Sequence, residues 1–247
     1  MLATKPWRID AVGRLFLAIL ATYCLGMTLA SLLDKVTSAW PKAESDFLQI
    51  LLGLIFLQFS ALVWITLFLR RHAIGWTDAF GLRLSEPVTA AAYGILAGVL
   101  FLPVGLGLTW LSGYLMELVH QTPQAQAAVQ ALQDSALSLR DKITFGLAVI
   151  VVAPVAEEAL FRGILYTTVK QMGYPRLALW GSSALFAVMH VNEPTLMPLL
   201  VFALVLVYLY ESYENLLAPI AAHSLFNAAN FFYLIFEDQF NRLLHLT

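Results

Sequence analysis

The sequence predicts an all-α, polytopic membrane helix bundle of about seven (six to eight) transmembrane helices with a buried polar site. Three observations predict it. Sixty per cent of the 247 residues are hydrophobic and only 12% are charged, where soluble domains carry about a quarter. The apolar residues fall in long blocks, as membrane spans require. A handful of ionisable side chains nevertheless sits inside those blocks, where they mark function by default.

The blocks run, in order, 15–33, 47–69, 88–119, 143–169, 176–190, 195–210 and 216–236. A span takes ~20 residues at 1.5 Å rise each. Block 15–33 follows the basic stretch "KPWRIDAVGR", and "TLAS" within it could pass for the small-residue cleavage site of a signal peptide. Its apolar run is too long for a cleaved core and predicts a retained first helix. Block 88–119 is long and contains Pro103 and several glycines, which predicts a helix that is tilted, kinked or continues past the membrane. Blocks 176–190 and 195–210 are short and only "VNEP" separates them, so they predict either a tight helical hairpin or two spans completed by flanking residues. The linker 70–87 is basic and rich in turn residues. The linker 121–142 is polar, yet Val129, Leu132, Ala136 and Leu139 recur at helical spacing, which predicts an amphipathic interfacial helix. The whole chain, 1–247, reads as one membrane domain with no internal repeat.

Charge and cysteine content exclude several classes. A net charge of −2 gives no electrostatic footprint for nucleic acid. The single cysteine, Cys24, allows no intrachain disulfide, and Tyr23 before it does not suit a lipoprotein site. With seven spans and the N-terminus inside, eight lysines and arginines fall on the inner side and five on the outer. This bias predicts a cytoplasmic N-terminus.

The ionisable residues away from block ends are Glu157, Glu158, Arg162, His190 and His223, and Asn227 joins them as a strongly polar amide. Glu158 and Arg162 stand one helical turn apart and can pair. Glu157 points about 100° away from Glu158, at 3.6 residues per turn, and is left without an arginine of its own. His223 and Asn227 also share a helical face, and His190 ends a third helix. Helices hide such groups by turning them toward one another, which predicts one polar cluster inside the bundle. One reading of that cluster is a structural network joining helices. The other is hydrolysis: Glu157 as base, His190 positioning a water, His223 and Asn227 stabilising an oxyanion. Two histidines with a carboxylate (Glu157, His190 and His223) could equally ligate zinc with room for a water. Pro154, three residues before Glu157, predicts a local distortion that opens the helix. No HExxH or inverted zinc motif occurs, and no aspartate lies within an apolar block. Ser182 and Ser183 lack the glycine frame of a serine nucleophile and suit close helix packing.

The motifs "EEALFR" (Glu157, Glu158, Arg162), "FAVMH" (Phe186, His190) and "HSLFN" (His223, Asn227) occur in this order, each in an apolar helix. In this the sequence resembles the CPBP (CAAX protease and bacteriocin-processing, Abi) family of intramembrane endopeptidases, related to the Ras-converting CAAX prenyl protease. The resemblance covers 143–236, which it implies to be the catalytic core. It implies an intramembrane peptide hydrolase of the bacterial inner (plasma) membrane. Its expected substrate is a membrane-associated protein or peptide, with Glu157 and a histidine activating water and no metal required. The family's name for metallo-endopeptidase keeps zinc as the second possibility. Val207 stands where the family would place glycine, and "YENL" (213–216) replaces its "TGSL"-like turn. A non-proteolytic immunity or scaffold protein, and a proton-relay transporter, are the alternatives. A transporter would show paired polar helices in both halves, and none is evident in the first three blocks.

Overall fold

The computed structural model describes residues 4–36, 42–82, 86–121, 129, 132, 138–190 and 193–243. Among these residues the chain is all-α, as eight helices: α1 (Ile9–Val36), α2 (Lys42–Arg71), α3 (Trp76–Ala79), α4 (Pro87–Leu118), α5 (Leu139–Gln171), α6 (Pro175–Met189), α7 (Glu193–Tyr213) and α8 (Leu217–Leu243). Five of them, α1, α2, α4, α5 and α7, are long and apolar enough to cross a membrane. The chain is therefore a multi-pass membrane bundle. The block at 176–190 forms the 15-residue α6, about 22 Å long and short of a ~30 Å hydrocarbon core. Helix α8 runs 27 residues but is kinked by non-helical backbone at Phe236 (φ −108°, ψ 15°), and His223, Asn227 and Asn230 dilute its apolar character.

Helix α5 is the axis of the bundle and touches α2, α6, α7 and α8. Ser138 caps its start, its hydroxyl oxygen accepting from the Asp141 N–H at 3.2 Å. The helix is not regular. It widens into π turns at Ala148–Val152 and Ala159–Tyr166, on either side of the two glutamates. Proline removes a donor and crowds the carbonyl four residues back. The first π turn accommodates Pro154: the chain before it bonds with the longer π reach, Ala153 N–H to Ala148 O. The distortion expected at Pro154 takes this form.

Helix α1 packs along α2, burying Val12, Leu15 and Ile19 in the main core. Cys24 on α1 is exposed. The start of the chain is tied down as well. The Trp7 indole N–H donates to the Thr168 hydroxyl at 2.9 Å, and Lys5 Nζ donates to Ala79 O at 2.5 Å. Burial holds the Lys5 ammonium below the ordinary lysine pKa.

The linker 70–87 is more than a solvated loop. Within it, α3 delivers Phe80, fully buried, against Gly163 of α5. A Cβ at Gly163 would lie 2.4 Å from the Phe80 ring, so only glycine admits it there. The Phe80 carbonyl accepts from Leu216 N–H at 3.0 Å. That bond docks the turn between α7 and α8, where Asn215 Oδ1 accepts from Leu217 N–H at 2.9 Å. The "YENL" stretch thus forms a capped, buried turn of its own.

Helix α4 is continuous through Pro103. It meets α8 at closest range through Gly94 and Gly98. A Cβ at Gly94 would fall 2.1 Å from Ala218 O, and one at Gly98 would fall 3.0 Å from Ala222 O. Small residues four apart let helix backbones touch in an apolar medium. This contact sets the height of α8, and with it His223 beside Ala222. Val207 packs with Tyr166 and Ala178, and Ser182 and Ser183 are buried in α6. Most of the linker 121–142 lies outside the described residues. Of its helical pattern, Val129 and Leu132 are described, both helical, and Leu132 is buried against Phe47, Phe145 and Phe231.

Candidate active site

The polar residues singled out within the apolar blocks come together: Glu157 and Glu158 meet histidines on other helices, Arg162 pairs with Glu158 on its own helix, and Asn227 lines one cavity with Glu157 and His190. Glu158 is fully buried, and its Oε1 accepts from Arg162 Nη1 at 2.9 Å. The same oxygen lies 2.8 Å from Nδ1 of His223 on α8. A carboxylate paired with arginine only accepts, so His223 Nδ1 carries the hydrogen. Arg162 is equally buried, and its Nη2 donates to Ala203 O of α7 at 3.3 Å. Its guanidinium stacks 4.3 Å from the centre of the Phe186 ring. The pair expected from the i, i+4 spacing is therefore present, extended to α7 and α8.

Glu157 points away from that pair, as its position on the helix requires. Its Oε2 lies 3.9 Å from Nε2 of His190 and 3.8 Å from Nε2 of His223. His190 Nδ1 is 2.8 Å from Phe186 O. A carbonyl only accepts, so this nitrogen too is the protonated one. Both imidazoles are thus anchored through Nδ1 and present Nε2 to the same carboxylate oxygen. Phe186 is the spacer, 4.7 Å from the His190 ring and 5.6 Å from the His223 ring, centre to centre.

Glu157, His190 and Asn227 line one cavity of about 310 Å³. Its other walls are largely apolar and include Ile50 and Leu54 of α2, Val129, Leu132 and Phe145. Glu157 is 19% exposed and His190 29%, against 3% for the His223 side chain. The first two face the cavity and His223 stands behind them. Asn227 Nδ2 donates to Val149 O at 2.8 Å. This carbonyl belongs to the first π turn, and the bond uses one of the two amide hydrogens expected for an oxyanion.

One member of the cluster escaped the sequence reading. Gln58 of α2, 4% exposed, donates its amide N–H to Glu157 Oε1 at 2.8 Å. Glu157 therefore has a partner, although not an arginine. Gln58 is an uncharged amide well inside the block 47–69, and that position was the available signal. It also means that the first three blocks contribute a polar residue to the centre.

The donor chemistry of Glu157, His190 and His223 would suit zinc. Among the described residues, no three His, Cys, Asp or Glu side chains are arranged to hold one metal ion.

No curated protein and no solved structure matches the chain. Residues 139–229, which hold the two glutamates, Arg162, both histidines and Asn227, match the model of the family described as Type II CAAX prenyl endopeptidase Rce1-like, the CAAX-protease family that the three motifs resemble.

Proposed function

We propose that the chain is an intramembrane endopeptidase that hydrolyses a peptide bond of a membrane-associated protein or peptide. The observation that carries this reading is the convergence of His190 Nε2 and His223 Nε2 on Glu157 Oε2, at 3.9 and 3.8 Å, beside an apolar-walled cavity. Both separations exceed a direct hydrogen bond and suit a bridging water. Glu157 takes one proton from that water while the water oxygen attacks the carbonyl carbon, and His190 Nε2 accepts a hydrogen bond from the water's remaining O–H, which stays on the new carboxyl group. The C–O bond forms, the C–N bond breaks, and the proton passes from Glu157 to the leaving amine. The second N–H of Asn227 and the Nε2–H of a doubly protonated His223 donate to the oxyanion. Glu158, accepting from His223 Nδ1–H, balances the charge of that ring. Every step uses protein groups and water, so the mechanism needs no metal.

The apolar walls suit a substrate that presents hydrophobic side chains from within or beside the bilayer. The basic excess on one side of the bundle supports a cytoplasmic N-terminus, in a bacterial inner membrane.

The test is cleavage of a reporter peptide and comparison of membrane proteomes with Glu157→Gln, His190→Ala and His223→Ala. Loss of products in all three supports the proposal. Wild-type processing by each would sink it. A lost phenotype with no cleavage product would favour a non-proteolytic immunity or scaffold role.

A further inference from the structure

We propose that Gln58 is a positioning residue that orients the Glu157 carboxylate, so that Oε2 alone serves as the base. This inference rests on the proteolytic reading for its kinetic consequence, though not for the contact itself.

The two oxygens of a free carboxylate are equivalent and exchange by rotation about the last side-chain torsion, which is soft. Here they differ. Oε1 accepts from the Gln58 amide at 2.8 Å, and Oε2 faces the two imidazoles. Gln58 is 4% exposed and reaches the centre from α2, outside the matched segment 139–229. A carboxylate offers no donor, so the Gln58 NH₂ rather than its carbonyl must face it. One consequence follows. A proton that Glu157 takes from water resides on Oε2, next to the scissile bond, because Oε1 is already engaged. The other titratable groups around Glu157 are His190 on α6, His223 on α8, and Glu158 and Arg162 on its own helix.

An interhelical amide can also be plain structural glue, so the test must separate orientation from stability. The variants are Gln58→Met, which keeps the length and removes the donor, and Gln58→Glu, which donates only while protonated. Both are made in the full chain, purified in detergent. Gln58→Met is expected to keep KM within about twofold and lose about 10²-fold in kcat, the scale of a misplaced reacting group. Gln58→Glu, which sets two carboxylates face to face, is expected to lose kcat as well. In parallel, infrared difference spectroscopy follows the Glu157 carboxylate band, identified by its absence in Glu157→Gln. Gln58→Met shifts that band, because Oε1 loses its donor.

An unchanged band in Gln58→Met would overturn the proposal, whatever the activity. So would a kcat loss that only tracks lowered thermal stability. If Glu157→Gln cleaves like wild type, the proteolytic reading fails while the infrared arm still decides the Gln58 contact.

Discussion

His223 and Arg162 donate to the same oxygen of Glu158, at 2.8 and 2.9 Å, from helices whose sequence positions are 61 residues apart. Glu158 thus joins α5 to α8 through a fully buried charge. Replacing it by glutamine leaves Arg162 buried without a counter-ion. We expect Glu158→Gln to cost about 3–5 kcal/mol, as for other broken buried pairs, and to lower kcat because His223 loses its anchor. Chemical unfolding in detergent, read beside activity, checks both. Glu157→Gln should instead unfold like wild type.

Asn227 separates structure from catalysis less cleanly. Asn227→Ala removes the donor to Val149 O in the first π turn and the second amide hydrogen. The expected kcat loss is about 10²–10³-fold, the range for one oxyanion donor. KM should change little, so steady-state kinetics on one peptide checks the assignment.

The α4–α8 contact gives a prediction with an internal control. A methyl at Gly94 meets Ala218 O at 2.1 Å, while one at Gly107 meets nothing within 4 Å. Gly94→Ala is expected to destabilise by about 1–3 kcal/mol, as overpacking does. Gly107→Ala should be neutral or slightly stabilising, since alanine is the better helix former. Paired melting curves decide it.

Metal removal tests the proposed chemistry directly. Exhaustive chelation and dialysis should leave peptide cleavage unchanged, and added zinc should not raise it. Activity that falls with chelator and returns with zinc would put Glu157, His190 and His223 in the role of ligands.

The helical class and the buried cluster were legible because lipid makes both costly to disguise. Long apolar runs have few other uses, and each charge within them needs a partner, on its own helix or on another. The Glu158–Arg162 pair followed from spacing alone, and so did the divergence of Glu157. What stayed hidden depended on interhelical geometry. Gln58 was invisible while attention rested on ionisable groups. Phe80 looked like part of a solvated linker because its partner, Gly163, lies 83 residues away. The π turns around Glu157 were heralded only by Pro154, and periodicity at 100° per residue has no means of showing them. The length of α6 was legible, but whether its short block stood alone as a helix was not.

The same central bonds have a consequence for how the protein is made. Glu157 accepts a hydrogen bond from Gln58 of α2 and Glu158 one from His223 of α8. During synthesis, α5 leaves the ribosome with its first partner already in place and its second still untranslated. A chain stopped after α7 would hold Glu158 and Arg162 in lipid without the imidazole and without the α4–α8 seam. The polar centre is therefore complete only once the last helix has joined the bundle.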